Sequence, residues 1–188
     1  MSLIGKSKEN FNQEFLSGKW KYLNTLEELG HYSIISGYIR FYYNTPKILD
    51  VGCGTGIILN QFTQGTYSMY HGIDFSKEAI KLFNKDVKKK VDLFVTDIND
   101  FETQNKYDVI IFCESLYYFD NIKEILKKYI KFLEQNGKII ISCYNEFATR
   151  SFWSNIPSEI ILLSSDRVIS SKGHKWDVKL FEIRSYAK

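Results

Sequence analysis

Three glycines, spaced two residues apart and preceded by an acidic residue, form the segment of this sequence best suited to chemistry. Gly52, Gly54 and Gly56 follow the apolar run Lys47–Val51, and Asp50 lies two residues before the first glycine. Glycine accepts a positive φ angle and has no Cβ, so a ligand can rest directly against the main chain. A helix beginning after this loop would offer free N–H groups to an anionic group. The pattern predicts a ligand-binding loop at the end of a strand.

The spacing of the glycines separates three candidate ligands: a nicotinamide dinucleotide, a nucleotide phosphate and S-adenosylmethionine. Dinucleotide-binding loops prefer G-x-G-x-x-G, but the position of the third glycine in that motif is Ile57 here. Asp50 is not part of the dinucleotide fingerprint either. A P-loop is excluded because no Gly-Lys-Ser/Thr follows. A plain turn that needs three glycines is the alternative without function.

The strands expected to hold this loop alternate with longer amphipathic segments, a pattern that favours βαβ units and a parallel sheet. The last predicted strand alternates apolar and polar residues, as in a half-exposed antiparallel strand. We therefore predict an α/β fold with a mostly parallel seven-stranded sheet, in which a terminal hairpin follows five buried parallel strands. The predicted strands are 47–51, 67–74, 92–96, 107–113, 138–144, 166–170 and 175–184.

The helices are predicted from apolar positions at helical spacing and from their end signals. Residues 19–43 are predicted to form two helices separated at Gly30, and residues 146–163 to be partly helical, with an interruption at Pro157. Ser76 and Asn121 are the expected N-caps of two further helices. These predicted helices are 56–63, 77–86 and 122–134, the last ended by the sequence QNG.

The composition is that of an ordinary globular enzyme with no sign of a nucleic-acid or membrane partner. The 188 residues suffice for one domain, and the net charge of +3 is too small to indicate nucleic acid. The basic run 85–90 is interpreted as the solvated end of a helix. Three widely spaced cysteines suggest neither a disulfide framework nor a metal site. No apolar run is long enough to span a membrane and no signal peptide is recognisable, so we expect a cytoplasmic protein.

Four motifs in order resemble those of class I S-adenosylmethionine-dependent methyltransferases. They are ILDVGCGTG, GIDFS, DVIIFCESLYYF and LEQNGKIIISCY, and the resemblance covers about residues 46–145. The resemblance implies a Rossmann-like methyltransferase sandwich with S-adenosylmethionine as cofactor. It divides the single domain 1–188 into an N-terminal helical cap (1–45), a cofactor-binding core (46–145) and a C-terminal helix with the terminal hairpin (146–188).

The resemblance also implies roles for residues that follow the strands. The loop from Asp50 to Gly56, including Cys53, would hold the methionine part of the cofactor. Asp74 would accept hydrogen bonds from both ribose hydroxyls, with Phe75 beside the adenine; a charge at a helix N-terminus is the alternative for Asp74. Asp97 would bind the adenine amine and Ile98 would contact the ring, although Asp97 also fits a simple turn.

The methyl acceptor is expected after strand four, where Glu114 is the leading polar side chain. Glu114 could orient the cofactor, accept a proton or pair with an amine; capping a helix is its alternative role. Tyr117 and Tyr118 could form a wall of the site, and Tyr118 stands where many relatives have histidine. Asn145, after strand five, could line the acceptor pocket from the other side.

The N-terminal segment GKWKYLNTLEELGHYSIISGYI resembles nodulation N-methyltransferases and relatives in polysaccharide pathways. This likeness suggests a small-molecule or saccharide acceptor under a helical lid, in a monomer or homodimer. Trp20 and Tyr32 would then contact the acceptor, although simple helix packing explains them equally well. Of the three histidines, His31 is the best candidate for a base, because His71 lies inside a strand and His174 lies in a turn. Two alternatives remain: a cofactor-binding protein without catalysis, and a nicotinamide-dependent oxidoreductase.

Overall fold

The computed structural model describes residues 7–83 and 89–184, in which one seven-stranded sheet carries helices on both faces. The strands are β1 (Lys47–Val51), β2 (Met69–Asp74), β3 (Val91–Val95), β4 (Tyr107–Cys113), β5 (Leu133–Tyr144), β6 (Ile160–Ile169) and β7 (Lys175–Ile183). The α-helices are α1 (Lys8–Leu16), α2 (Leu26–Tyr42), α3 (Lys77–Lys81), α4 (Ile122–Ile130) and α5 (Arg150–Ser154). Short 3₁₀ helices cover Lys19–Asn24, Ile57–Gln61 and Leu116–Tyr118.

The strand order is β3-β2-β1-β4-β5-β7-β6, and it confirms the predicted mixed sheet. Strands β1 to β5 are parallel neighbours, whereas β7 runs antiparallel between β5 and β6. Strand β1 therefore lies between β2 and β4, at the point where the order of the chain reverses. Ligands of open α/β sheets bind at the carboxyl ends of the strands beside such a switch point.

The central strands are buried on both faces, which explains their continuous apolar sequence. On one face, Ile110 and Phe112 of β4 pack against Leu126 and Tyr129 of α4. On the other face, Ile111 belongs to a second cluster that includes Ile35 and Ile39 of α2. Helices thus hold both sides of the sheet and leave its carboxyl edge for the site.

The prediction that Gly30 separates two helices is wrong, because α2 runs through it without a break. A Cβ on Gly30 would lie 2.6 Å from Cγ1 of Val168 on β6. The absence of a side chain at Gly30 therefore allows α2 to pack closely against the terminal hairpin. The change of direction comes earlier, at Thr25, between the first 3₁₀ helix and α2.

Four other predicted boundaries differ from the structure. Residues 56–63 form the 3₁₀ helix Ile57–Gln61 rather than a full crossover helix. The helix predicted over 77–86 is observed as α3, which ends at Lys81. Residues 84–88, and with them most of the basic run 85–90, lie outside the described residues. Helix α4 ends at Ile130, so the QNG sequence lies within β5. Residues 160–163 belong to β6 and are not helical, because they pair with β7.

The predicted N-caps differ in their chemistry. Ser76 Oγ accepts a hydrogen bond from Ala79 N at 3.2 Å, as expected of an N-cap. Asn121 precedes α4, but its side chain donates to Asn99 Oδ1 at 3.2 Å instead of capping the helix. Within the described ranges, the structure contains no helix that is long and apolar enough to cross a membrane.

Candidate active site

A cavity of about 430 Å³ lies at the carboxyl ends of β1, β2 and β4, beneath the N-terminal helices. It brings together twelve of the residues predicted from the sequence for the site. On the cofactor side these are Asp50, Gly52, Cys53, Gly54, Asp74, Phe75 and Ile98, and towards the expected acceptor they are Glu114, Trp20, Tyr32, Tyr117 and Tyr118. One continuous space thus joins the two halves of the predicted site.

Four predicted residues do not line this cavity. Gly56 borders a neighbouring cavity behind the glycine loop. Asp97 follows β3, and its Oδ1 accepts hydrogen bonds from the backbone and side chain of Asn99 at 2.9 and 3.1 Å, as in a turn. Asn145 continues β5, where its backbone N–H donates to Lys175 O at 2.8 Å. His31 is fully buried behind the cavity wall.

The glycine loop is folded tightly against the end of β4. Gly52 has a φ of 77°, a conformation that favours glycine, and a Cβ there would overlap the side chain of Ser115. Ser115 Oγ in turn donates to Val51 O at 2.6 Å. The backbone N–H groups of Gly52 and Cys53 both donate to Ile73 O of β2. The loop conformation is therefore fixed by its two neighbouring strands before any ligand binds.

Asp74 ends β2 beside this loop and is held by backbone donors. Its Oδ2 accepts from Gly54 N at 2.9 Å and its Oδ1 accepts from Ser76 N at 2.7 Å. Burial raises the pKa of Asp74, and these two N–H groups act in the opposite direction. Each carboxylate oxygen can accept a further hydrogen bond. The carboxylate is thus oriented at the cavity wall with acceptor capacity left for a ligand.

Asp50 is buried at the floor of the cavity with one oxygen unsatisfied. Tyr70 donates a hydrogen bond from its hydroxyl to Oδ2 at 2.5 Å, whereas Oδ1 is buried and has no hydrogen-bond partner among the described residues. Burial is the main reason that the pKa of Asp50 is raised to about 7, and the negative charge of Asp74 raises it further. The hydrogen bond from Tyr70 lowers this pKa and offsets part of the increase. A buried acceptor without a partner is costly, so a donor on a ligand would stabilise it.

Glu114 occupies a strained turn directly after β4. Its φ of 54° is unusual for a residue with a side chain, and it directs the carboxylate into a set of hydrogen bonds. Oε1 accepts from Ser142 Oγ at 2.7 Å, while Oε2 accepts from Tyr117 OH at 3.1 Å and from Tyr144 N at 2.9 Å. Burial raises the pKa of Glu114, and the electrostatic effect of nearby His31 is the largest of the effects that lower it. Glu114 lies on the cavity wall, and its contact with an acceptor stays a prediction.

His31 connects Glu114 to a second carboxylate that the sequence interpretation missed. His31 Nδ1 lies 3.1 Å from Ser142 Oγ, and Nε2 lies 3.0 Å from Glu28 Oε2. The imidazole also stacks on Trp176, with ring centroids 5.0 Å apart. Glu28 lines the cavity, although only 5% of it is exposed. One signal was available in the sequence: Glu28 shares the i, i+3, i+4, i+7 spacing of the buried face of α2.

Aromatic side chains form much of the remaining wall. Phe11 of α1 stacks with Trp20 at 6.1 Å and meets Phe75 and Tyr118 edge-to-face at 5.1 and 5.2 Å. The N-terminal segment thus packs against the part of the cavity wall that includes Phe75, and its role as a lid stays a prediction. The interpretation of the sequence missed several further wall residues, because the chain brings them together only through tertiary packing; these are Phe11, Phe15, Tyr22, Tyr144, Phe147, His174 and Trp176.

The family model described as a methyltransferase domain matches residues 44–174 of the chain. The chain belongs to the methyltransferase domain family. Membership in this family and the sheet topology confirm the resemblance, the fold class and the enzyme class predicted from the sequence, an S-adenosylmethionine-dependent methyltransferase.

Among curated relatives, this methyltransferase is 29% identical over 174 residues to the ubiquinone biosynthesis O-methyltransferase of Rickettsia typhi, covering 86% of this chain and 70% of that protein. It is 26% identical over 128 residues to the malonyl-[acyl-carrier protein] O-methyltransferase of Priestia megaterium, covering 65% and 46%. The chain spans 40% to 54% of the length of several other curated relatives that it matches.

A solved structure with the same fold is the N-methyltransferase NodS of Bradyrhizobium japonicum WM9 in complex with S-adenosylhomocysteine. Its TM-score is 0.81 with 14% sequence identity, and the alignment covers 96% of this methyltransferase and all of that chain. At this identity the likeness shows a shared fold.

The cavity of this methyltransferase fits the cofactor of its family. The unpartnered Oδ1 of Asp50 suits the ammonium group of a methionine moiety, and Asp74 retains acceptor capacity for ribose hydroxyls. A Cβ on Gly54 would project into the space beside Phe15, 3.7 Å from its Cζ, so the bare backbone keeps that space for a ligand. Among the residues described, no group of three or more acidic, histidine or cysteine side chains is arranged to hold a metal ion.

Proposed function

We propose that this methyltransferase transfers the methyl group of S-adenosylmethionine to a nitrogen or oxygen atom of a small molecule, a saccharide being one candidate. The observation that carries the proposal is the continuity of the cavity. It begins at Asp50 and Asp74 beside the glycine loop and extends to Glu114 and the aromatic wall. Donor and acceptor can therefore occupy neighbouring parts of one partly enclosed space.

The residues of the chain then have simple tasks. The sulfonium of S-adenosylmethionine supplies an activated methyl group with a neutral leaving group. Asp50, Asp74 and the glycine loop would fix the position of the donor, and the aromatic wall would exclude water and hold the acceptor in line. Glu114 would orient the nucleophile or take its proton. Aromatic faces suit both a sugar ring and a cation.

The test is product detection. The purified protein would be incubated with S-adenosylmethionine carrying a deuterated methyl group and a panel of small molecules that bear amines or hydroxyls, including amino sugars and neutral sugars. A mass increase of one labelled methyl group in a panel compound, absent for Asp74→Ala, supports the proposal. Cofactor binding without a labelled product across a broad panel would favour the non-catalytic alternative.

A further inference from the structure

Two glutamates from distant parts of the chain line one cavity and are connected through a chain of hydrogen bonds. Glu28 comes from α2 and Glu114 from the end of β4, and both line the same space. They are joined through the hydrogen-bonded pair His31 and Ser142, with contacts of 3.0, 3.1 and 2.7 Å along the sequence Glu28–His31–Ser142–Glu114. Ser142 Oγ donates its one hydrogen to Glu114, so His31 Nδ1 must donate to Ser142, and a second proton lies between His31 Nε2 and Glu28. Glu28, His31 and Glu114 together therefore carry one net negative charge, and a largely buried charge is costly unless it is compensated.

The two carboxylates act on the same part of the cavity. The charges of both Glu28 and Glu114 raise the pKa values of three tyrosines, namely Tyr22, Tyr32 and Tyr144, in addition to the effect of burial. All three tyrosines line the cavity. Because His31 compensates only one of the two carboxylates, the remaining negative charge produces a negative potential beside these wall residues.

Positive charge on the described cavity wall is scarce. Lys19 is the single lysine among the described lining residues, no arginine is among them, and Lys19 Nζ pairs with Glu14 Oε1 at 2.6 Å. Glu28 uses Oε2 for His31, while its Oε1 has no hydrogen bond among the described residues. Glu28 thus presents a nearly buried carboxylate with a free oxygen in a cavity with aromatic walls, a setting that favours a cationic ligand.

We propose that Glu28 and Glu114 form an ammonium-binding pair that selects an amine as the methyl acceptor. This inference deepens the function proposed above and rests on it. A carboxylate-bearing acceptor would meet a net negative charge here, and a hydroxyl would leave that charge uncompensated. The chemistry therefore favours N-methylation of a basic amine over O-methylation.

The reaction step follows from this placement. The acceptor enters as an ammonium ion, and Glu114, next to the glycine loop, takes one proton and leaves a neutral amine. The electron pair of the amine forms the new N–C bond with the methyl carbon, while the C–S bond breaks and its electrons stay on sulfur. Glu28 keeps its charge, which His31 and the methylated ammonium that results would then share. The proton on Glu114 passes to solvent when the products leave.

The experiment compares three probes of similar shape and different charge: benzylamine, benzyl alcohol and benzoate. Their affinities are measured by calorimetry on the full chain saturated with S-adenosylhomocysteine. We expect benzylamine to bind at least tenfold more tightly than the other two. Glu28→Gln should abolish most of this preference, with S-adenosylhomocysteine affinity unchanged within about threefold. The matched control is Glu27→Gln, since Glu27 bonds Ser171 and Lys172 outside the cavity and should keep the preference.

Two results would overturn the inference. Benzylamine binding no tighter than benzyl alcohol on a protein that still binds S-adenosylhomocysteine would refute the ammonium pair alone. An unchanged preference in Glu28→Gln would remove Glu28 from the acceptor site. If the wild-type chain fails to bind S-adenosylhomocysteine, the proposed function fails first and the inference with it.

Discussion

The backbone N–H of Gly54 donates a hydrogen bond to Asp74 Oδ2 at 2.9 Å, which joins the glycine loop after β1 to the acid that ends β2. Two motifs separated by twenty positions in the sequence thus form one rigid unit. This unit is part of the wall of the cavity, and the same aspartate retains acceptor capacity for a ribose. We therefore expect the loop and the aspartate together to determine the position of the ligand.

Replacing Asp74 tests the ribose assignment. Asp74→Ala removes an ionised acceptor for two hydroxyls and also removes the acceptor of Gly54 N. Hydrogen bonds to charged groups contribute roughly 1.5–3 kcal/mol each, so we expect S-adenosylhomocysteine to bind at least about 100-fold more weakly. Calorimetry measures the affinity. Asp100→Ala, in an exposed turn, is the control and should bind normally. An affinity for Asp74→Ala within a few-fold of wild type would refute the assignment.

The raised pKa of Asp50 predicts that cofactor binding releases protons. With its pKa raised to about 7, Asp50 is roughly half protonated in the free protein at pH 7. A cofactor ammonium beside Oδ1 favours the ionised form and lowers this pKa, so binding should release up to about half a proton at pH 7. Titrations in phosphate and Tris buffers, which differ in ionisation enthalpy, measure that number. Heats that do not depend on the buffer, or an equal release in Asp50→Asn, would contradict the prediction.

Replacing Gly52 by alanine should lower the stability of the fold more than the same replacement at Gly65. Gly52→Ala places a Cβ against Ser115 in a left-handed backbone, whereas Gly65→Ala, at a φ of 94°, meets no atom within 4 Å. Both variants bear the backbone strain, of about 1–2 kcal/mol, and only the first adds overpacking of roughly 1–3 kcal/mol. Urea unfolding should therefore show Gly52→Ala as the less stable of the two. Equal losses would mean that the loop shifts to accommodate the methyl group.

Replacing Glu114 should lower turnover and leave cofactor affinity nearly unchanged. Glu114→Gln keeps the shape of the side chain but removes its charge, so turnover of an amine acceptor should fall at least tenfold, while the Kd for S-adenosylhomocysteine changes by less than about threefold. Steady-state kinetics and calorimetry give the two numbers. An equal loss in both would assign Glu114 to the cofactor instead of the acceptor.

Much of the fold follows from local patterns. The buried parallel strands carry continuous apolar sequence, and the loop from Gly52 to Gly56 and Asp74 carry motifs that need no tertiary information. The structure places these residues together at the cavity, because the carboxyl ends of neighbouring parallel strands must lie together, and their binding roles stay predictions.

The acceptor side depends on contacts that the sequence does not display. Gly30 resembles a helix breaker until Val168 of β6 is placed against it. Glu28 resembles a charge on a helix surface until Ser142 of β5 and Trp176 of β7 enclose its partner His31. The run 160–163 has the apolar character of a helix or a strand, and only pairing with β7 decides between them.

The most direct test of the account is a calorimetric titration of the purified protein with S-adenosylhomocysteine, with NAD in a parallel titration. We expect saturable binding of S-adenosylhomocysteine near one molecule per chain and no saturable binding of NAD. The opposite result, binding of NAD alone, would contradict the account of this cavity as a methyltransferase site.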